Sequence, residues 1–179
     1  TMQDLVVAGY VAGPGERSVA HEQRVTRGYL RTLGVPLVAG RDFTEQDQDG
    51  RVAIINEAMA RRYFKDRDPV GQRFGRDAAD TEIIGVAADA RFNSAREAAE
   101  PTVFLLVDPA TYPSVIQVRT SGDAAAMTTT LRRALQELEP GLAIDRVSTA
   151  RGLVANSFRL ETLVARLTTA LGAIALGVA

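Results

Sequence analysis

The sequence predicts an α+β domain, and three observations carry that expectation. Short runs rich in Val, Ile, Leu and Phe recur along the chain, each bounded by Gly, Pro or Asp, as strands are. Between them lie a few stretches in which apolar residues repeat at three and four, the period of an amphipathic helix. At 179 residues and 46% hydrophobic, the chain is long enough for one core, or for two small subdomains sharing one.

Composition removes several classes of function. Twenty-one basic residues against 22 acidic ones leave a formal charge of −1, so there is no electrostatic footprint for nucleic acid and no polybasic strip for anionic lipid. The absence of cysteine excludes disulfides, Cys-ligated zinc and thiol catalysis together. It fits either side of a membrane, because a core of this size needs no stapling. The opening Thr1-Met2 lacks the basic and apolar regions of a signal peptide, and with the apolar ending it reads as a piece of a longer protein.

Leu5 to Val11 (LVVAGYV) is expected as a strand, and Gly13-Pro14-Gly15 breaks it by freeing φ and removing a donor. The run Gly13 to Ser18 has the look of a phosphate loop but lacks the Gly-Lys-Ser/Thr ending that places a lysine and a hydroxyl on phosphate and metal; a hairpin loop is expected instead. His21 is the sole histidine. Without cysteine it cannot build a His-based metal site, and no serine or carboxylate beside it suggests a triad, so an exposed or loop position is expected. Glu22 to Thr26 reads as a second strand. Tyr29, Leu30 and Leu33 give one apolar face to a short helix that Gly34 stops, and Pro36 keeps Val35 to Val38 at a sheet edge.

The acidic stretch Thr44 to Gly50 contains Asp47 and Asp49 before Gly50, a D-x-D-G pattern. A calcium loop needs ligands over twelve positions ending in a bidentate Glu, whereas here the chain turns straight into the apolar run Val52 to Ile55. A capping turn between Thr44 and Asp47 is the better reading. Val52 to Ile55 is expected as a buried strand. Asn56 is a sound N-cap for a helix to Phe64, with Glu57 in its first turn and Met59, Ala60, Tyr63 and Phe64 on its buried stripe. Arg61, Arg62 and Lys65 fall toward the solvated end, where a substrate clamp is a weaker reading than a solvated face. Asp68 to Gly71 forms a turn, and Gln72 to Gly75 begins another extended segment.

Thr81 to Ala87 (TEIIGVA) is a strand in which Gly85 marks a bulge or a close backbone approach. Thr102 to Val107 and Val115 to Thr120 are expected as strands, the latter with one wetted face. From Asp123 to Leu138 the period changes. Ala124, Met127, Leu131, Ala134, Leu135 and Leu138 trace a helical stripe, capped by Ser121 or Asp123 and ended by Pro140-Gly141. Leu142 to Val147 returns as a strand, so the pattern suggests two β-α-β units flanking an inserted middle. After a connector at Ser148 to Phe158 the chain is expected to be helical, and Leu167 to Ala179 carries no charge. Its small residues and its apolar finish favour the start of a membrane helix over a core helix.

The wording of these segments resembles one family. LGVPLVAGRDF, VAIINEAMARRYF and DPVGQRF, followed by EIIGVAADAR, PTVF and VRTSGDAAAMTTTLRRALQELEPGLAI, resemble in order and spacing the MacB-like periplasmic core domain of ABC-transporter permeases of the MacB/FtsX type, closest to the orphan permeases with duplicated units. The resemblance implies a porter-like part at about 1–48 and 112–158, an inserted mixed α/β subdomain at about 49–111, and a truncated transmembrane helix at 159–179. It implies a domain on the extracytoplasmic face of the cell inner membrane, held to the membrane through the C-terminal helix. The expected role is non-catalytic. ATP would be hydrolysed by a separate cytoplasmic ATP-binding subunit or domain, with a periplasmic adaptor or second permease half as further partners. It supplies no catalytic, cofactor-binding or metal residues. Two other readings compete: an extracytoplasmic ligand-binding sensor, which requires a mostly apolar pocket with a few converging polar groups, and a hydrolase using Asp47, Asp49 or Glu57.

Overall fold

A computed structural model describes residues 2–47, 51–65, 67–90, 99–107, 115–141 and 143–149. The chain divides into two compact units, Thr1–Val118 and Arg119–Ala179. The first holds strands β1 (Met2–Asp4), β2 (Val6–Val7), β3 (Val19–Val25), β4 (Leu37–Gly40), β5 (Val52–Asn56), β6 (Arg73–Gly75), β7 (Thr81–Ala87) and β8 (Thr102–Leu106), with helices α1 (Tyr29–Leu33) and α2 (Glu57–Tyr63). The second holds α3 (Ala124–Leu138). The fold is α+β, as the sequence predicts.

The strands form one sheet in the order β1-β3-β8-β5-β7-β6-β2, with β4 on the far end of β7. β1 and β2 are successive pieces of one segment with only Leu5 between them, yet β1 pairs with β3 and β2 pairs with β6. Residues 2–7 therefore join the two ends of the row and close the sheet on itself. Closure removes edges that would otherwise present unpaired N–H and C=O groups. Of the apolar run expected as a single strand at Leu5–Val11, only Val6–Val7 is strand, because the chain turns at Ala8–Gly9, where Gly9 has φ +70 and the Tyr10 N–H bonds back to the Val7 carbonyl.

Alternation along the strands fills both faces. Ala20, Ala53, Ile55, Ile83, Val86 and Val103 point to the inside with Val7 and Phe74, and α2 adds Met59, Tyr63 and Phe64. On the outside Val25, Ile54, Ile84, Ala87, Phe104 and Leu106 pack with Leu30 of α1 and with Phe43. The Tyr63 hydroxyl donates to the Val19 carbonyl at 2.7 Å and accepts from its N–H at 2.8 Å, which ties α2 to the start of β3. A two-sided burial of this kind explains why β5, β7 and β8 read as continuous apolar runs rather than as alternating ones.

Gly85 has the role its position suggested. The register of β7 against β5 steps from Ala53↔Ile83 to Ile54↔Gly85, so β7 carries an extra residue there. A Cβ on Gly85 would lie 2.6 Å from the Arg41 carbonyl oxygen, which shows how closely the segment after β4 runs past β7. Gly40 faces it with φ +69, and a Cβ there would collide with the Ile84 carbonyl.

Several local expectations need correction. His21 lies in β3, partly buried, because Met2 and Thr102 flank it in neighbouring strands. Val115–Thr120 and the described part of Leu142–Val147 are not strands; Val115 and Ile116 remain 77% and 59% exposed, and extended backbone without a ladder partner is not a strand. Strands from both sides of the 48/49 boundary share the sheet, β3 with β8 and β4 with β7. Helix α3 forms where the period predicts, with Asp123 as its cap accepting from Ala125 N–H, and none of its residues is buried. The connector and the helix expected after it, apart from Ser148 and Thr149, lie outside the described residues.

Candidate functional site

The inside of the closed sheet is filled at one end by α2 and hollow at the other. The hollow is a cavity of about 290 Å³. It forms because β3 places Ala20 and Glu22 on the inner face two residues apart, β8 does the same with Val103 and Leu105, and Leu5 and Phe74 complete the floor. A charged side chain on an inward position needs compensation. Arg76, just past β6, supplies it by crossing to Glu22 at 2.7 Å, while Arg24 reaches the other carboxylate oxygen at 2.8 Å. Burial by itself would raise the Glu22 pKa, but the hydrogen bonds from Arg76 and Arg24 outweigh it and hold the carboxyl below its ordinary value. Asp77 and Asp80 stand at the rim, on the connection between β6 and β7.

The described residues among those singled out in the sequence do not converge there. His21 Nε2 lies 2.6 Å from Glu100 Oε2, a close contact without the alignment of a hydrogen bond. Asp47 is consumed by its own turn: it accepts from Thr44 N–H at 2.7 Å and Thr44 Oγ1 at 2.9 Å, and holds Arg41 through both oxygens. The bonds from Thr44 to Asp47 are those of the capping turn, and the Arg41 guanidinium takes up both carboxylate oxygens. Asp49 lies outside the described residues. Glu57 accepts from Asp89 N–H, and Asp89 in turn accepts from Ala58 N–H and Arg61. Asp47 and Glu57 therefore belong to separate contacts rather than to one acid/base pair. Arg61 and Arg62 pair with Asp89 and Glu16. The Gly13–Ser18 loop is a turn in which Glu16 accepts from Gly13 N–H and the Tyr10 hydroxyl. Among the described residues no group of three or more His, Cys, Asp or Glu side chains could hold a metal ion.

Asp47 yields a pH prediction. The Arg41 guanidinium beside it holds its carboxyl well below the usual carboxylate range. A carboxyl depressed by folding stabilises the protein above its unfolded pKa of about 4 and loses that contribution as pH falls toward the folded value. Asp47→Asn is expected to cost about 1 kcal/mol at neutral pH, allowing for the exposure of Arg41. The difference from wild type should shrink between roughly pH 4 and pH 2, as read by urea melts at each pH.

Residues 4–164 match the family described as the MacB-like periplasmic core domain. The chain belongs to this family. Among solved structures, the MacB periplasmic region from Actinobacillus actinomycetemcomitans superposes with a TM-score of 0.54 at 19% identity, over 77% of this chain and 63% of that one. The extracellular domain of the ABC-type transporter YknZ from Gram-positive bacteria gives 0.48 at 19% identity, over 78% and 75% of the two chains. A domain of a protein described as a permease, from Porphyromonas gingivalis, gives 0.49 at 17%, over 76% and 60%. No curated protein matches the sequence. The chain thus spans under two thirds of the MacB region it resembles, 63%. A MacB-like periplasmic core domain is a part of an ABC permease that stands outside the cytoplasm. Among the described residues no helix is long and apolar enough to cross a membrane.

Sequence reasoning missed the mouth of the sheet. Its one available signal was the alternation Ala20, Glu22, Arg24 within β3, which sets two charges on the same face as a buried alanine. Which face is inside depends on the pairing of β1 and β2 with opposite ends of the row.

Proposed function

We propose that this MacB-like periplasmic core domain is the lever of an ABC-type export permease in the cell inner membrane, facing the periplasm and catalysing no reaction itself. Conformational change driven by a separate cytoplasmic ATPase passes through the membrane helices to this body, which moves against a periplasmic adaptor or a second permease half. The observation that carries the reading is the family match over residues 4–164. A stiff first unit supports the reading: a sheet closed through residues 2–7 and plugged by α2 resists shear, as a body that is to be rotated rather than deformed must. In this proposal the body spans 1–158, with about 1–48 and 112–158 as its porter-like part, and the tie to the membrane begins near Arg159.

The test is mechanical. A flexible Gly/Ser insert placed between Phe158 and Arg159 of the full-length permease should abolish most transport while leaving the melting of the domain unchanged. Transport that survives the insert at its original rate overturns the lever. A topology reporter fused after Leu153 should report the extracytoplasmic side, and a cytoplasmic signal overturns the placement.

A further inference from the structure

The open end of the closed sheet is built differently from its plugged end. Where α2 fills the inside with Met59, Tyr63 and Phe64, no described residue plugs the other side in the same way, and a cavity of about 290 Å³ lies there. Its floor is apolar, from Leu5, Phe74, Val103 and Leu105. Small-molecule sites have this composition, an apolar body with a few placed polar groups, and the volume sits at the small end of their range.

We propose that this mouth is a binding site for a small amphipathic cation, an aromatic or aliphatic body bearing one ammonium or guanidinium group. The charge at the mouth selects the sign. Three carboxylates, Glu22, Asp77 and Asp80, line it with one guanidinium, Arg76, and a second guanidinium, Arg24, reaches Glu22 from the same strand. Both guanidiniums bond to Glu22, and among the described residues no basic side chain forms an ion pair with the Asp77 or Asp80 carboxylate, Arg73 reaching only the Asp80 main-chain carbonyl at 3.5 Å. The Asp80 carboxylate accepts a long bond from the uncharged Thr81 hydroxyl, 3.4 Å. An anion entering here would meet two rim carboxylates before reaching an arginine already engaged. A cation would meet attraction at the rim while its apolar body covers the floor.

Arg76 sets how the site responds. It is half exposed and reaches Glu22 from 54 residues away in sequence, so the ion pair spans the mouth from β6 to β3. A ligand's cationic head can share Asp77 and Asp80 without breaking that pair. This inference goes beyond the lever reading and stands without it, since it concerns occupancy and not motion.

The experiment is titration of the 179-residue chain with phenethylammonium, followed by calorimetry and by backbone amide shifts, with benzyl alcohol and phenylacetate as the neutral and anionic counterparts. The expected result is saturable binding of the cation at least about tenfold tighter than of either counterpart, with shifts at residues of β3, β6 and β8. Asp77→Asn and Asp80→Asn, both at exposed positions, should each weaken the cation severalfold without moving the melting temperature. Equal binding of benzyl alcohol, preferential binding of phenylacetate, absence of saturable binding, or shifts confined to other surfaces would each overturn the assignment.

Discussion

Replacing Asn56 by alanine is expected to destabilise the first unit by roughly 2–4 kcal/mol. Asn56 is 2% exposed and every polar atom of its side chain is in use. Its Oδ1 accepts from Met59 N–H at 3.0 Å, capping α2, and from Thr102 N–H at 2.9 Å; its Nδ2 donates to the Glu100 carbonyl at 2.9 Å. Loss of an N-cap alone costs about 1 kcal/mol. The alanine variant also strands the buried Thr102 amide, worth roughly 1–3 kcal/mol when left without a partner, while the Glu100 carbonyl keeps its bond from the Thr102 hydroxyl at 2.9 Å. Asn56→Asp separates these contributions. It keeps both acceptor bonds and loses only the donor, with a carboxylate now set against a carbonyl, and should fall between wild type and alanine in urea denaturation. An alanine variant as stable as wild type would mean that water replaces all three bonds, contrary to the burial of the site.

Gly40→Ala is expected to cost about 2–4 kcal/mol, for two separable reasons. A left-handed backbone with φ +69 costs an L-residue about 1–2 kcal/mol. The new Cβ would also collide with the Ile84 carbonyl, which belongs to β7 and cannot rotate away as a side chain would. Gly15→Ala is the control. Its φ is +78, and nothing stands within 4 Å of the Cβ position, so only the backbone cost applies. The difference between the two variants in thermal melts measures the crowding of the β4–β7 contact. Equal losses would show that β4 retreats freely from β7.

The local elements were legible because their causes are local. Asn56 before an apolar stripe, the glycine after Leu33 and the breaks at Asp68–Gly71 act within a few residues, and α1, α2, β5 and β7 stand where those signals put them. Val115–Thr120 has strand composition but joins no ladder among the described residues, and composition cannot supply a strand to pair with. His21 was expected in a loop because nothing in the residues around it shows that a strand on each side would enclose it.

By itself, then, the sequence determined the α+β class, the family, and the positions of caps, turns and buried runs. Each of these depends on side-chain chemistry and on spacing along the chain. Only the tertiary structure decided that residues 2–7 join opposite ends of the sheet, and with that which face is inside. The cavity at its mouth and the Arg76–Glu22 bridge follow from closure. Contacts between groups 54 residues apart are set by the pairing of whole strands, and no local pattern encodes them.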